Sequence, residues 1–517
     1  MISHSPTPFS SFPRSHICSH TFPLSTVTLS SSYPLMAFRP KDKHSLLLFS
    51  YSKDKASNSI LVKAKYLLYI FLFFSLWLFL LFLCFPPSPD LPTPSAIAGG
   101  AGGEEDDVPR PPEKCDPDIA PFYIYDLPTR FNLALLRRCR SLNIYTDMCP
   151  HVAHRGLGQP VPHPLSSSGG AADSPSWYAT HQFIAEMIFH ARAERHPCRT
   201  LDPSSALLFY VPFYAGLYTS SVFRVSDHAL RDALAVDLVA HISSHAAFRR
   251  RRGRDHFLAI GRTAWDLMRS DAASSPDFGA NRLLLLPEVL NMSILTVERH
   301  PWKGDNQFGI PYPSYFHPFS AAEVAAWQAE VRRSKRSHLF MFVGGPRNAT
   351  DKAAVRAEIL RQCGASDRCL RVECKPGSPK CHDPERVLAV MKQAEFCLQP
   401  PGDSFTRRSV FDSVLAGCVP VFFSEHTAYT QYRWYLPGRA EDWSVLLGPD
   451  RSSRIEEELS RIPKEEVERM RETVIEMIPK VTYAHPNASR SALGFRDAVD
   501  VALVELTKHV RSTLHEA

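Results

Sequence analysis

Residues 396–423, FCLQPPGDSFTRRSVFDSVLAGCVPVFF, contain a strand–turn–helix–strand pattern. The apolar start predicts a strand, and the Pro-Pro-Gly-Asp turn after it predicts a helix that Asp403 or Ser404 can cap. Gly417 is placed to end that helix. The apolar run 418–423 then predicts the next strand, parallel to the first. Such an order is typical of a parallel α/β sheet.

The turn before this predicted helix has the residues of an anion site. Backbone N–H groups near 404–406 would be free at the start of the helix, where the helix dipole is positive. Arg407 and Arg408 would lie in the first turn, where cations are disfavoured unless an anion such as a phosphate neutralises them. The alternative is a structural strand–helix–strand unit with surface arginines. The pattern alone does not separate these two interpretations.

The same alternation of apolar and amphipathic segments extends outward from this stretch. It forms two series, separated by a loop rich in aromatic residues and prolines at 301–318. We therefore predict two α/β domains in tandem, 115–335 and 336–517. In the first, the predicted strands are 122–126, 207–212, 256–261 and 282–287, and the predicted helices are 177–194 and 227–245. In the second, the predicted strands are 338–345, 396–399 and 418–423, and the predicted helices are 353–363 and 386–395.

Composition and charge exclude two classes of protein. Of the 517 residues, 44% are hydrophobic and 22% are charged, which excludes a globally disordered chain. The net charge is only +6, from 59 Lys+Arg against 53 Asp+Glu. No stripe of basic residues interleaved with aromatic residues accompanies this excess, so we expect no nucleic-acid partner.

Residues 66–85, YLLYIFLFFSLWLFLLFLCF, form a run of twenty residues without a charge. As a helix this run would rise about 30 Å, the thickness of the hydrocarbon core of a bilayer. The alternative is a cleavable signal peptide, which usually has a shorter apolar stretch and ends in small residues. Basic residues precede the run and an acidic run at 104–107 follows it. The flanks predict a single-pass type II membrane protein whose larger part is lumenal.

The flanking segments support this topology. Residues 1–65 are a predicted cytosolic tail, with Met36 as an alternative start, and 86–114, with eight prolines, are a predicted extended stem. Ten of the twelve cysteines follow the apolar run, which predicts several disulfides of undetermined connectivity. The four cysteines from 363 to 381 do not form the two C-x2-4-C pairs typical of a zinc site, since the intervals between them are x5, x4 and x6. The predicted glycosylation sites are Asn291, Asn348 and Asn487.

A series of short motifs lies in order over residues 121–440. They include Tyr123-Ile-Tyr-Asp-Leu-Pro128, Trp177-Tyr-Ala-Thr180, Val211-Pro-Phe-Tyr-Ala-Gly216, Phe308-Gly-Ile-Pro-Tyr-Pro313, Tyr315-Phe-His-Pro318 and Gly402-Asp-Ser-Phe-Thr-Arg-Arg408. Together they resemble the motifs of exostosin-like glycosyltransferases, in particular the plant branch of xyloglucan galactosyltransferases. Two positions depart from the branch pattern, Glu425-His426 and His181. These departures affect the expected donor and acceptor more than the expected glycosyl transfer.

The resemblance implies a GT-B fold, in which two Rossmann-like domains face each other across a cleft. The second domain would bind UDP-galactose, and the first would bind the acceptor, a xylose side chain of xyloglucan. Transfer would be inverting, without a cofactor or an essential metal, in the Golgi membrane. Complexes with other glycan synthases are an expected kind of partnership. The residues expected to bind the donor are Gly402, Asp403, Ser404, Thr406, Arg407, Arg408 and Asp412.

Glycosyl transfer also needs a base that accepts the proton of the attacking hydroxyl. The candidates are Asp255 and His256 at a predicted strand boundary, and then Glu288 after a predicted strand. Sugar rings stack on aromatic side chains, which are frequent near predicted strand ends and loops. From the set Trp177, Tyr178, Phe213, Tyr214, Tyr218, Trp302, Tyr312 and Tyr315, those expected to contact the acceptor are Trp177, Tyr178, Tyr214, Tyr312 and Tyr315.

Other functions are compatible with parts of this pattern. The same fold could transfer galacturonic acid to xyloglucan, or galactose to a mannan. Glycoside hydrolysis needs two carboxylates but no diphosphate site, so the 402–408 segment argues against it. An inactive lumenal partner subunit is the non-enzymatic alternative, and retention of the whole 402–408 segment argues against that as well.

Overall fold

The computed structural model describes residues 69–77, 113–162, 176–270, 279–346, 354–374, 381 and 383–515. The chain divides into two compact units, 1–99 and 100–517. The described part of the first unit is one short helix, α1 (69–77). No helix among the described residues is both long and apolar enough to cross a membrane. The predicted tail 1–65, and most of the predicted span 66–85 and stem 86–114, lie outside the described residues and stay predictions.

The second unit alternates strands and helices along the chain. Its described strands are β1 (Phe122–Ile124), β2 (Arg199–Thr200), β3 (Leu208–Tyr210), β4 (His256–Thr263), β5 (Ser293–Glu298), β6 (Gln307–Gly309), β7 (His338–Gly344), β8 (Cys369–Glu373), β9 (Ala394–Gln399), β10 (Val419–Phe422) and β11 (Val445–Leu446). Its described helices are α2 (Leu133–Leu136), α3 (Cys149–Val152), α4 (Ala185–Glu194), α5 (Ala215–Val222), α6 (His228–Ser243), α7 (Ala246–Arg251), α8 (Ala321–Arg333), α9 (Ala354–Ala365), α10 (Pro384–Met391), α11 (Ser409–Leu415), α12 (Ile455–Ser460), α13 (Lys464–Glu476), α14 (Ile478–Val481), α15 (Arg490–Leu493) and α16 (Ala498–His515).

These strands form two parallel sheets, as the alternating pattern predicts. The first sheet has the order β2-β1-β3-β4-β5-β6, and the second has the order β11-β10-β9-β7-β8. All of the strand pairings are parallel. We refer to residues 113–335, which contain the first sheet, as the first half, and to 336–515, which contain the second, as the second half.

Two predicted elements of the first half are wrong. Residues 282–287 are not a strand, because Leu283–Leu285 form a 3-10 helix and the next strand of the sheet is β5. The predicted helix 177–194 begins only at Ala185, and residues 177 and 178 make isolated β-bridges instead. A run of four leucines has no period that separates a strand from a helical turn, so length and apolarity alone mislead here.

The start of α11 also differs from the prediction. The helix begins at Ser409, its N-cap is Arg408, and no side chain caps it. Asp403 and Ser404 therefore belong to an irregular turn that precedes the helix by several residues. The predicted strands around this helix are confirmed as β9 and β10, which pair in parallel with Val421 opposite Leu398.

Alternate residues of the strands face opposite hydrophobic clusters, as the two-residue period of a strand requires. In β4, Phe257 and Ala259 belong to one cluster, and Leu258 and Ile260 belong to another. The first of these clusters continues into the second half, where it includes Phe422 of β10 and many residues of α16. One continuous core therefore joins the two halves.

The last helix packs against the first half and not only against the second. Arg192 of α4 donates a hydrogen bond to Asp497, just before α16, at 2.9 Å, and His196 bonds Asp500 of α16 at 2.9 Å. These four side chains are buried. The predicted second domain, 336–517, therefore includes a terminal helix that completes the packing of the first half.

All ten cysteines that follow the apolar run pair with one another. The disulfides are Cys115–Cys198, Cys139–Cys149, Cys363–Cys369, Cys374–Cys381 and Cys397–Cys418. The prediction of several disulfides is confirmed. The cysteines from 363 to 381, which zinc would have needed as thiolates, are oxidised in two of these pairs.

Candidate active site

The carboxyl edge of the first sheet meets a turn of the second half. β5 ends at Glu298 on this edge, and the segment Gly402–Arg407, here called the 402–407 turn, follows β9. The carboxyl ends of parallel strands are where open α/β sheets bind ligands. The two halves thus bring a strand end and a polar turn together in the position expected of an active site.

The carboxylate of Glu298 accepts four hydrogen bonds, and three of them come from the turn. Its carboxylate accepts from the Ser404 hydroxyl at 2.6 Å and from the backbone N–H groups of Phe405 and Thr406 at 3.0 and 3.4 Å. The indole N–H of Trp265 donates from the first half at 3.1 Å. Burial raises the pKa of Glu298, while the Ser404 hydrogen bond and the positive charge of Arg407 oppose this rise. The N–H groups that we predicted to face phosphate therefore hold a carboxylate here.

Arg407 lies inside the turn and is partly exposed. Its Nη1 donates to the Ser404 hydroxyl and to the carbonyl of Thr406, each at 2.8 Å. Its Nη2 is buried and has no hydrogen-bond partner among the described residues. A Cβ at Gly402 would lie 2.1 Å from that Nη2, so only glycine leaves room for the guanidinium. The turn therefore presents hydroxyl, amide and guanidinium donors side by side.

Arg408 points away from the turn into the core. It pairs with Asp412 at 3.2 Å, donates to the carbonyl of Thr180 at 3.0 Å and bonds the hydroxyl of Tyr315. Asp412 also accepts from the Ser314 hydroxyl at 2.6 Å, and burial raises the pKa of Asp412. These groups satisfy one another's hydrogen-bonding capacity. Arg408 and Asp412 therefore join the two halves, and they do not have the predicted role of contacting the donor.

The other predicted donor-binding residues differ in exposure. Asp403 is exposed on the turn, and Ser404 is partly exposed. Thr406 is fully buried, and its hydroxyl bonds the hydroxyl of Tyr432 at 2.9 Å. Gly402 is buried, so the surface that the turn offers to a ligand is made by Asp403, Ser404 and Arg407.

Asp255 and His256 lie at the opposite end of the sheet. They precede and begin β4, and a strand of that length separates its two ends by roughly 23 Å. His256 bonds Asp255 at 2.7 Å and the Tyr125 hydroxyl at 2.8 Å. Burial alone would raise the pKa of Asp255, but the His256 hydrogen bond and the Arg251 charge bring it below its usual value. This network is structural, and neither residue is placed to serve as the predicted base.

Glu288 is not placed to act as the base either. It immediately precedes the 3-10 helix Val289–Asn291, which leads into the amino end of β5. The strand that we predicted before it does not exist, so Glu288 does not follow a carboxyl strand end. Its position is at the edge of the sheet that faces away from the 402–407 turn.

The aromatic residues predicted to contact the acceptor are all buried. Trp177, Tyr178, Tyr214, Tyr312 and Tyr315 are each at most 4% exposed. Their polar atoms have internal partners in three cases, because Tyr178 bonds His485, Tyr214 bonds His190 and Tyr315 bonds Arg408. These side chains stabilise the core around the site and offer little surface to a sugar.

Trp302 is the exposed aromatic residue next to the site. Its side chain is 63% exposed. Its ring lies 5.6 Å from Phe405 and 5.3 Å from His426 of the second half, and 6.2 Å from Trp265 of the first. His426 also belongs to the pair Glu425-His426, which departs from the branch pattern. Trp302 is therefore held at the edge of the 402–407 turn with much of its indole in solvent.

A second buried carboxylate lies on the same sheet edge. Glu186 of α4 accepts from the N–H groups of Gly216 and Leu217, each at 2.8 Å, and of Gly261 at 3.1 Å. Burial raises the pKa of Glu186 to about 7, although these hydrogen bonds oppose the shift. Its bonds fix the start of α5 and the end of β4 to α4, and these three partners all belong to the first half.

Our sequence prediction missed both Glu186 and Glu298. The signal for Glu298 was present, since Ser-Ile-Leu-Thr-Val-Glu has the β-branched residues of a strand and ends in an acid. We predicted the strand at the neighbouring run of leucines, 283–286, instead. Glu186 gives no such signal, because its importance depends on three N–H groups from distant parts of the chain.

The predicted glycosylation sites lie away from the 402–407 turn where they are described. Asn291 is exposed, and Asn487 is partly buried beside a cavity of about 450 Å³ that Ser320 and Glu323 also line. Asn348 lies outside the described residues. No group of three metal-ligating side chains occurs in the part of the chain that the structure describes.

Sequence comparison supplies relatives for this arrangement. The chain is 56% identical over 403 residues to the probable xyloglucan galactosyltransferase GT17 of Arabidopsis thaliana, covering 78% of this chain and 85% of that protein. It is 41% identical over 402 residues to the xyloglucan galactosyltransferase MUR3 of the same plant, covering 76% and 63%. For the xyloglucan galactosyltransferase XLT2, also of that plant, the identity is 39% over 402 residues, covering 76% and 74%.

Solved structures are only distantly similar. A crystal structure of a GtfA/B complex has a TM-score of 0.28 at 12% identity, covering 59% of this chain and 57% of that chain. The pneumococcal O-GlcNAc transferase GtfA with UDP and GlcNAc has a TM-score of 0.26 at 9% identity, covering 55% and 60%. Scores this low carry no argument. The family evidence is in the sequence, where the Exostosin GT47 domain matches residues 120–460, well over half of the chain. The chain belongs to the Exostosin GT47 family and is a glycosyltransferase.

Proposed function

We propose that this glycosyltransferase transfers galactose from UDP-galactose to xylose side chains of xyloglucan, with inversion at the anomeric carbon. The sugar and the acceptor are those in the names of its relatives, one of which is 56% identical over 78% of the chain. The reaction takes place between the two halves, which have the two parallel sheets that a GT-B arrangement requires.

The contact between the 402–407 turn and Glu298 is the observation that carries this proposal. Breaking the anomeric bond leaves negative charge on the departing UDP, and fixed donors aimed at that charge lower the barrier. The turn presents the Ser404 hydroxyl, the Phe405 N–H and the Arg407 guanidinium at one place. These donors suit a diphosphate without the helix dipole, since α11 has only seven residues and starts beyond them.

The acceptor binds beside Trp302. A sugar ring presents apolar C–H groups to an aromatic face and hydroxyls at its rim. Trp302 offers an exposed indole that lies close to Phe405 of the turn, so a xylose stacked there would have its hydroxyls near the reacting centre. Trp302 therefore has the acceptor-binding role that we predicted for five aromatic residues that are buried.

The topology and the cofactor requirement complete the proposal. The enzyme is a single-pass type II protein of the Golgi membrane with a lumenal catalytic part, and it works without an essential metal. The five disulfides support an oxidising compartment. Complexes with other glycan synthases belong to the same proposal.

The test is turnover by the full-length chain purified in detergent. It is incubated with UDP-galactose, UDP-galacturonic acid or other UDP-sugars, and with xyloglucan oligosaccharides that have bare xylose side chains or with a mannan. We expect a β-galactosyl product on xylose by mass spectrometry and NMR, with and without a chelator. Loss of this product only when the chelator is present would contradict the proposal that no metal is essential.

Other outcomes change the proposal in defined ways. A galacturonosyl product, or a galactosylated mannan, would keep the fold and replace the substrates. No product from any pair, with UDP bound normally, would favour an inactive partner subunit. For topology, we expect glycosidase to shift the mobility of the protein and protease added outside sealed microsomes to leave the catalytic part intact. An unshifted, protease-sensitive protein would overturn the lumenal placement.

A further inference from the structure

The groups that donate hydrogen bonds to the Glu298 carboxylate are typical of an anion-binding site. We call the position of the carboxylate among these donors the seat of Glu298. Three of the four groups that donate to its carboxylate come from the 402–407 turn: one hydroxyl and two backbone N–H groups. Arg407 adds a positive charge that lowers the pKa of Glu298 against the effect of burial. Clustered N–H and hydroxyl donors with an arginine are also how proteins hold phosphate oxygens.

A carboxylate and a diphosphate cannot occupy these donors together. The Ser404 hydroxyl has a single proton, and that proton is donated to Glu298. Two anions would also repel each other at this distance. If the turn holds the diphosphate of the donor, as the proposed function requires, Glu298 must leave its seat when the donor binds.

The position of Glu298 in the first half determines where its carboxylate would go. It is the last residue of β5, so the backbone is anchored in the sheet while the side chain is at the free edge. Its remaining hydrogen bond comes from Trp265, whose ring lies 6.2 Å from the exposed Trp302. A carboxylate that leaves the turn but keeps Trp265 therefore stays on the side where the acceptor stacks.

We propose that Glu298 is the general base of glycosyl transfer, and that the diphosphate of the donor takes over its seat on the 402–407 turn and thereby releases the carboxylate towards the acceptor hydroxyl. This inference rests on the proposed function. It gives the enzyme an order of events, because the base becomes available only after the donor is bound.

The chemical step balances with these groups alone. The acceptor oxygen bonds to the anomeric carbon from the face opposite UDP, and its proton moves to a carboxylate oxygen of Glu298. The bond from the anomeric carbon to the β-phosphate oxygen breaks, and its electron pair leaves with UDP, whose charge the turn stabilises. Glu298 then returns the proton to solvent and its carboxylate to the turn as UDP departs.

Charged and titratable groups of both halves surround Glu298. Burial raises the pKa of Glu298 above the usual value of a carboxyl group. The charged and titratable groups that face it are Arg407 from the turn, and Tyr312 and Tyr432, whose own pKa values its charge helps to raise. Tyr312 also faces Arg262 and Asp266 from the end of β4.

The main experiment compares Glu298→Gln with Glu186→Gln, a matched change of an equally buried carboxyl group on the same sheet edge. UDP alone is titrated by calorimetry, and turnover is measured with whichever donor and acceptor the wild type uses. We expect E298Q to bind UDP about tenfold more tightly, because no anion competes. We expect it to lose about 10²–10⁴-fold in kcat, the usual contribution of a general base. E186Q should change neither quantity.

Two further variants keep the test decisive if E298Q does not fold. Trp265→Phe removes the hydrogen bond that Glu298 keeps in both positions and leaves the turn intact, so kcat should fall while UDP affinity stays near that of the wild type. Glu298→Asp keeps the charge but shortens the side chain, so kcat should fall while UDP affinity stays near that of the wild type. In the wild type, kcat/KM should decline at acid pH as Glu298 is protonated, and the residual activity of E298Q should lack this decline.

Defined results would overturn the proposal. Full kcat in E298Q, or a large loss in E186Q instead, would remove the base role from Glu298. Unchanged or weaker UDP binding in folded E298Q would disprove the competition for the turn, and full kcat in folded W265F would disprove the role of Trp265 in holding the released carboxylate. Because the UDP titration needs neither a sugar nor an acceptor, it is informative even when the proposed galactose or xyloglucan is wrong.

Discussion

Buried carboxylates of the first sheet have different functions according to the strand end at which they lie. Asp255 precedes β4, forms a hydrogen bond with His256 and is paired with Arg250 and Arg251 of its own half. Glu298 ends β5 and is neutralised by donors of the other half. Only the second arrangement can respond to a ligand that binds between the halves.

Asp255→Asn tests the structural role of the amino-edge network. The change removes a charge that His256 and Arg251 contact, so we expect a loss of about 1–3 kcal/mol in the free energy of unfolding. We expect kcat to stay within about twofold of the wild type, because this edge does not contact substrate. Urea unfolding and initial rates measure the two effects. A hundredfold loss of kcat in a folded variant would restore Asp255 as a candidate base.

Trp302→Ala tests the contact with the acceptor. Loss of the stacking surface should raise KM for the acceptor about tenfold, as expected for an aromatic contact worth about 1–1.5 kcal/mol. UDP affinity should not change, because Trp302 does not donate to the 402–407 turn. Tyr145→Ala is the control, since Tyr145 is an even more exposed aromatic residue elsewhere. Equal effects of the two changes, or a change confined to UDP binding, would contradict this role.

At the scale of elements, the carboxyl edge of the first sheet is organised by Glu186. This α4 residue accepts from the N–H groups at the start of α5 and from Gly261 near the end of β4. A Cβ at Gly216 would lie 3.0 Å from its carboxylate and one at Gly261 would lie 3.0 Å from the Phe183 carbonyl, so both glycines allow close approach. Three elements are thereby held in one position beneath the site.

Glu186→Gln should change how stability depends on pH. Burial raises the pKa of Glu186 to about 7 from an unfolded value of 4.5. The folded state therefore binds the proton more tightly, and the stability this contributes is complete below pH 4.5 and is lost as the pH rises to about 7. The loss is on the order of 3 kcal/mol. Unfolding measured from pH 4 to 8 should show a smaller slope in E186Q; equal slopes would contradict the assignment.

How far sequence predicts this protein differs between elements. The segment 396–423 predicts β9, the helix and β10 because its apolar runs are bounded by Pro, Gly and Asp. It does not predict that α11 starts at Ser409, because the preceding residues 404–406 are held in an irregular turn by hydrogen bonds to Glu298, which is 106 residues away from Ser404. The site depends on such distant contacts, so local patterns identify the turn and miss the carboxylate.

At the scale of the whole molecule, the terminal segment closes the first half. Arg192 is 5% exposed and pairs with Asp497, while His196 pairs with Asp500 of α16. The Ala120 N–H, next to β1, also donates to Thr507 of α16 at 3.0 Å. The packing of the first half is therefore complete only when α16 is in place, whether or not a ligand is bound between the halves.

Arg192→Ala tests this closure. It leaves the buried Asp497 without its cation, while Asp500 keeps Arg490 at 3.1 Å, so we expect a loss of about 3–5 kcal/mol in stability. Arg130→Ala is the matched control, because its pair with Asp237 is about half exposed and should contribute much less to stability than a buried pair. Urea unfolding followed by tryptophan fluorescence measures both. Similar small losses in the two variants would show that α16 is not needed to stabilise the first half.

Because α16 packs against the first half, this packing determines when the protein can first reach its native structure during synthesis. Arg192 and Asp497 are 305 residues apart, and His196 and Asp500 are 304 apart. At about 5–20 residues per second, the ribosome needs roughly 15–60 s to deliver the partners after α4 has emerged. Throughout this interval the apolar face that α16 later covers is accessible to chaperones. The first half of the nascent chain thus cannot complete its packing until α16 has been synthesised. Truncation near the C-terminus would therefore destabilise the half that is synthesised first.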